Sequence, residues 1–217
     1  MIQAGPLFPN WAFRGLEPGA FHMLMVDPPW SFSLYSAKGG NKSAEKHYKT
    51  MSLDEIAALP VGDLAAKNSV LWLWGTAPMF PQQVAIAERW GFVYKTMGVW
   101  NKTTSAGKQA FGTGYILRTS HEPFIIATRG EPKTSRSVRS SFAAVRREHS
   151  RKPEMAYQIA EKLLPKGRRV EIFSRANRAG WSVWGDEVGK FDGEAPPDPA
   201  FKPREKYQNQ LPFFDAA

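Results

Sequence analysis

The chain contains no cysteine in 217 residues, which excludes a disulfide scaffold and any site built on thiolates. No apolar run approaches the roughly 18 residues of a membrane span, so no membrane role is expected. Histidine occurs only four times; His, Asp and Glu do not cluster at metal-ligand spacing, and no metal is expected. Met1-Ile2-Gln3-Ala4-Gly5 lacks the basic-then-apolar pattern of a secretory leader, and a cytoplasmic protein is the expectation. Acid is the scarcer charge: 20 Asp and Glu stand against 29 Lys and Arg, a formal net charge of +9. That excess suits a polyanionic partner such as nucleic acid, or else a solvated basic surface. Core-forming residues are plentiful: 42% hydrophobic with eight tryptophans, enough for one substantial α/β domain.

The most informative stretch is Asp27-Pro28-Pro29-Trp30, which follows the apolar run Phe21-His22-Met23-Leu24-Met25-Val26. A strand that delivers an acid, two prolines and an aromatic ring into a loop makes a cradle for a planar amine. The lone pair of an exocyclic amino group on a base is delocalised into the ring, so two acceptors are needed to hold its hydrogens in a tetrahedral arrangement. The Asp27 carboxylate is one, and the main-chain carbonyl of Pro28 the other. Trp30 offers a face for stacking, worth roughly 1–3 kcal/mol. Asp-Pro-Pro is also an ordinary turn; what favours a site is its position at the carboxyl end of a buried strand, where open α/β sheets bind ligands.

The remainder alternates between strand and helix patterns. Residues 1–20 read as a lead-in loop and residues 31–50 as a polar loop beside the site. Ser52-Leu53-Asp54-Glu55 is a capping box, with Met51 and Ile56 as its hydrophobic staple. Val70-Leu71-Trp72-Leu73-Trp74-Gly75 has the continuous apolarity of a strand covered on both faces. A helix is expected over 81–91 and strands over 92–100 and 122–128. Residues 101–118 read as a second substrate-facing loop carrying Lys102, Lys108 and Arg118. Residues 129–152 form the densest basic stretch, with Arg146 and Arg147 as candidate phosphate contacts; an exposed solvated loop is the alternative. Pro153 opens a helix with Ala156, Ile159, Ala160, Leu163 and Leu164 on one face. Val170-Glu171-Ile172-Phe173 is the last strand, followed by Ser174-Arg175-Ala176-Asn177.

Asp27-Pro28-Pro29-Trp30 resembles the signature of the adenine-N6 methyltransferase family typified by the catalytic subunit of the mRNA adenosine methyltransferase, which has bacterial and phage members. The likeness runs from about Asn10 to Glu187. It implies a Rossmann-like α/β fold that uses S-adenosylmethionine, a mostly parallel sheet with helices on both faces, and a circularly permuted motif order in which the acidic strand precedes the cofactor strand. It implies catalytic roles for Asp27, Pro28, Pro29 and Trp30. Asn10 and Trp11 fall where the family contacts the cofactor adenine, a Trp packed beneath the sheet being the alternative. Tyr48-Lys49-Thr50-Met51 falls near the target base, which places Tyr48 and Lys49 with Lys102, Arg118, Arg146 and Arg147 as substrate contacts. His121 stands where eukaryotic relatives are expected to carry a lysine on the cofactor carboxylate. By the same likeness Asp27, Phe173, Ser174, Arg175 and Asn177 meet the cofactor, and Asp186 and Glu187 occupy the place of a ribose-contacting amide pair.

Family pairing implies a homodimer. The expected substrate is DNA, single-stranded or with the base flipped out; RNA, or a non-catalytic nucleic-acid-binding subunit, are the alternatives. The methyltransferase domain is assigned to residues 1–192, and residues 193–217 read as a Pro-rich linker. Its Gln210-Leu211-Pro212-Phe213-Phe214 resembles the short peptide with which bacterial replication and repair proteins bind the sliding clamp. Folding back on the domain is the other reading of these aromatics.

Overall fold

The computed structural model describes residues 11–31, 50–112, 114, 116–148 and 151–193. Asn10, Tyr48, Lys49 and the 210–214 peptide lie outside the described residues. Among the described residues the chain forms a seven-stranded sheet with helices against both faces. The strands are β1 (Phe21–Val26), β2 (Ala65–Trp74), β3 (Val93–Thr103), β4 (His121–Arg129), β5 (Ser141–Val145), β6 (Arg169–Ile172) and β7 (Ser182–Trp184). The helices are α1 (Leu53–Ala58), α2 (Val61–Leu64), α3 (Phe80–Arg89) and α4 (Glu154–Leu163). Spatial order is β5-β3-β4-β2-β1-β6-β7. Only β4 runs against the rest, pairing antiparallel with both β2 and β3.

Side-chain alternation sends each strand's residues to two separate cores. Leu24, Val26, Leu71, Leu73, Val170 and Ile172 meet α1, α2 and α3 on one face. Met23, Met25, Trp72, Trp74 and Phe124 meet α4 through Ala156, Tyr157, Ala160 and Leu164 on the other. β1 is therefore buried on both sides, which explains why it is apolar from Met23 to Val26 with only His22, near its start and half-buried, polar. At the start of α1, the Ser52 hydroxyl accepts from Glu55 N–H while the Glu55 carboxylate accepts from Ser52 N–H at 2.7 Å. Ile56 is fully buried and Met51 packs on the same core, as a staple requires.

Two strands depart from the sequence expectation. The basic stretch 129–152 is not a continuous loop: Ser141–Val145 inside it pairs parallel with β3. Its apolar residues are few and short, and flanking arginines mask them in any local window. β7 is likewise too short to show a period. Arg129 is withdrawn from the surface basic set. Its guanidinium donates to the carbonyls of Gly62 at 2.6 Å and Trp90 at 2.7 Å, tying together the ends of α2 and α3.

Candidate active site

Because β4 alone is reversed, its first residues reach the edge of the sheet at which the other six strands end. Asp27 leaves β1 there, anchored by its N–H to Ile172 O at 3.4 Å. Trp30 N–H donates to Pro28 O at 2.8 Å and Met51 N–H to Pro29 O at 2.9 Å, so the Pro-Pro turn is held from both sides. The Trp30 indole N–H donates to Trp74 O at 3.0 Å and the residue is only 5% exposed. In this arrangement Trp30 is the anchor of the turn: its ring sits in the core rather than open to a base.

Four charges alternate along this edge. The Lys152 ammonium lies 2.5 Å from Asp27 Oδ2 and 2.8 Å from Glu122 Oε1, and Lys102 lies 2.7 Å from Glu122 Oε2. Lys152 also stands over the Trp74 ring at 5.4 Å. Burial alone would lower its pKa, but the two carboxylates outweigh burial and raise it, so the amine stays charged. Glu122 and Asp27 share that ammonium yet move in opposite directions. Burial would raise Glu122, but Lys152 and then Lys102 overcome it and hold the carboxyl at about 2. For Asp27 burial outweighs the Lys152 ammonium in contact with it and Lys102 farther off, and the Glu122 charge adds to burial, so its pKa is raised. Among the described residues, Asp27 Oδ1 accepts no hydrogen bond.

Between the ends of β1 and β6 opens a cleft of about 270 Å³ whose lining includes Asp27, Lys152, Glu171, Phe173, Arg175 and Phe191. Glu171 is a buried acid in an apolar strand. It accepts from the Tyr157 hydroxyl at 2.5 Å and the Ser174 hydroxyl at 2.8 Å; burial still raises its pKa against both donors. Tyr157 is pushed well above the ordinary tyrosine value, by burial first and then by the Glu171 charge. The chain turns sharply after β6, with Phe173 at φ 66°, a left-handed conformation costly for a side chain with a Cβ. β7 closes on that turn through Gly185, where an added Cβ would come within 2.6 Å of Ser174 O. The 185–193 segment is then tied across the cleft: Glu187 pairs with Arg175 at 2.7 Å, and Asn177 Nδ2 donates to Asp192 at 2.6 Å. The Phe191 ring has the Arg151 and Arg175 guanidinium groups 4.3 and 4.8 Å from its centroid.

The structure thus gathers Asp27, Phe173, Arg175, Asn177 and Arg147 in one cleft, with Ser174 and Glu187 bonded to its lining. Lys102 joins through Glu122 rather than standing free for substrate. Trp11 lies apart, its indole donating to Leu16 O at 2.8 Å and its ring edge-on to Phe13. His121 opens β4 opposite Asn101 and does not line the cleft. Asp186 and Arg146 are exposed; Arg118 lies against Phe111 on the 101–120 loop. Lys152, Glu122, Tyr157 and Glu171 were not singled out from sequence. Two signals pointed to them: an acid inside the run Val170-Glu171-Ile172-Phe173, and a lysine directly before the proline that opens α4.

The donor set suits S-adenosylmethionine: a zwitterionic amino-acid end asks for cations beside acids, and ribose hydroxyls ask for acceptors. Among the cleft lining, Lys152, Arg175 and Arg178 would offer the first, and Glu171 and Asp192 the second. A mostly parallel sheet with a charged cleft at the carboxyl ends of two neighbouring central strands is the frame of a Rossmann-like methyltransferase. The chain belongs to the MT-A70 family, whose model matches residues 21–187, and the chemistry of that family is methylation of the adenine N6 amine. It is 28% identical over 195 residues to a Type II methyltransferase, M.MunI, of a Mycoplasma species, covering 81% of each chain. It is 29% identical over 182 residues to an N(6)-adenosine-methyltransferase MT-A70-like protein of Arabidopsis thaliana, covering 82% of this chain but 25% of that one. The N6-methyladenosine RNA methyltransferase MTA1 of Pyricularia oryzae is 31% identical over 188 residues, covering 79% of this chain and 48% of its own. Among the described residues no helix is long and apolar enough to cross a membrane.

Proposed function

We propose that this chain methylates the N6 amine of adenine in DNA from S-adenosylmethionine, acting on a base that is single-stranded or flipped out of the duplex. The observation that carries the reading is Asp27: Lys152 clamps Oδ2, which leaves Oδ1 as a fixed acceptor at the mouth of the cleft. Pro28 O, which already accepts from Trp30 N–H, keeps a second lone pair for the other amine hydrogen. Two fixed acceptors draw the nitrogen out of conjugation and aim its lone pair. S-adenosylmethionine supplies, when bound, an electrophilic methyl carbon on a sulfonium. The chain's contribution is mainly orientation. The proton shed by the nitrogen passes to Asp27 Oδ1, whose proton affinity burial raises, and from there to water.

Support for DNA comes from the length match with the Type II methyltransferase and from the clamp-like 210–214 peptide. The relative named as an RNA methyltransferase favours the second reading, the same chemistry on RNA adenosine. Labelled methyl transfer to single-stranded DNA, duplex DNA and RNA, with N6-methyladenine identified by mass spectrometry, separates the two. Cofactor binding without methylated adenine in any of the three defeats both. Residues 1–192 are the proposed catalytic unit, in the cytoplasm. The partner proposals are a homodimer, tested by light scattering, and a sliding clamp bound through Gln210, Leu211, Pro212, Phe213 and Phe214. Deleting that peptide should abolish clamp pull-down and spare activity on short oligonucleotides.

A further inference from the structure

The most exposed apolar side chains among the described residues stand together on the loop between β3 and β4: Ile116 is 97% exposed and Leu117 82%. The described residues on either side of them are bonded across the loop. Lys102 N–H donates to Ser120 O at 3.0 Å, Ala110 N–H to Lys102 O at 2.8 Å and Gly112 N–H to Thr119 O at 2.7 Å, forming a narrow stem. Arg118 Nε donates to Gly112 O at 3.2 Å and its guanidinium covers Phe111, which locks the two sides of the stem. Ile116 and Leu117 contribute nothing to the core.

Their surroundings indicate what they meet. The stem starts at Lys102, which is ion-paired to Glu122, and Glu122 shares Lys152 with Asp27. The loop is therefore tied to the reacting edge of the sheet, and four residues of chain place Ile116 within about 14 Å of Ser120, whose carbonyl is held by Lys102 N–H. From Asn101 to His121 there is no acid, while Lys102, Lys108 and Arg118 are basic. A stretch with three cations and no acid complements a polyanion such as the nucleic-acid backbone.

We propose that Ile116 and Leu117 are a wedge that enters the base stack of duplex DNA beside the target adenine, with Lys108 and Arg118 toward flanking phosphates. Apolar side chains inserted between base steps unstack them, and an adenine inside a duplex reaches Asp27 only after it leaves the stack. The inference rests on the adenine-methyltransferase reading. Both residues are solvent-exposed, so Ile116→Ser with Leu117→Ser leaves the fold intact.

The test measures methyl transfer by the full chain and by this double variant to three substrates of mixed sequence: paired duplex, duplex with bulged adenines, and single strand. The wedge predicts a tenfold or greater loss of kcat/KM on paired duplex, a partial loss on bulged adenines and less than a twofold change on single strand. Equal losses on all three, or none on paired duplex, overturn it. So does a wild-type chain active only on single strands, or a variant whose oligomeric state changes, which assigns the tip to a second copy. Absence of wild-type transfer to every substrate defeats the underlying reading instead.

Discussion

Replacing Lys152 with Met isolates the charge arrangement on which the site depends. Methionine keeps most of the apolar stem against Trp74 and removes the ammonium, leaving Asp27 and Glu122 without their shared cation at a position only 8% exposed. In the native chain, folding takes the Glu122 carboxyl from the ordinary 4.5 to about 2; at about 1.4 kcal/mol per tenfold change in proton affinity, that contributes about 3 kcal/mol at neutral pH. The folded pKa is depressed, so this stabilisation is full above pH 4.5 and is lost as pH falls toward 2. Part of it comes from Lys102 and survives the substitution. Losing one partner of a buried pair costs roughly 3–5 kcal/mol, equivalent to a Tm drop of about 6–20 °C for a domain of this size. In Lys152→Met the carboxylates repel, their folded pKa values rise, and the native state binds protons that the unfolded chain does not. The deficit against wild type should therefore be largest near pH 7 and shrink as pH is lowered through 4. Urea unfolding of both proteins between pH 3 and 8 measures it. A constant offset at every pH, or one below about 1 kcal/mol, would refute the assignment of Lys152 as the shared counter-ion.

Asp27→Asn preserves shape but replaces the carboxylate acceptor with an amide, and transfer should fall by on the order of 10²–10³-fold with cofactor still bound by calorimetry; wild-type turnover removes Asp27 from its role. Trp30→Phe leaves Trp74 O without its buried donor and should cost about 1–3 kcal/mol, read as a lower Tm. A raised KM for nucleic acid at unchanged Tm would instead mark Trp30 as a stacking face. Arg129→Met and Arg146→Ala should part company. The first breaks bonds to Gly62 and Trp90 and lowers Tm. The second removes an exposed cation and should reduce the slope of log affinity against log salt by about 0.9 at unchanged Tm.

Local pattern was enough to determine most of the elements and the centre of the site. A run apolar at every residue but His22 marks β1 as buried on both faces, a serine three residues before a glutamate marks the start of α1, and an acid before two prolines marks where β1 ends. These are interactions between residues a few positions apart, and their physics is written in spacing. The electrostatics of the site are not of that kind. Lys152 meets Asp27 across 125 positions, and Glu122 reaches the same ammonium only because β4 is the one reversed strand of the sheet. Nothing near Arg129 distinguishes it from the exposed arginines that follow, yet tertiary packing turns it inward to satisfy the carbonyls of Gly62 and Trp90. Strand order and direction decide which distant charges share low-dielectric space, and those charges fix each other's protonation; composition and periodicity carry no record of that pairing.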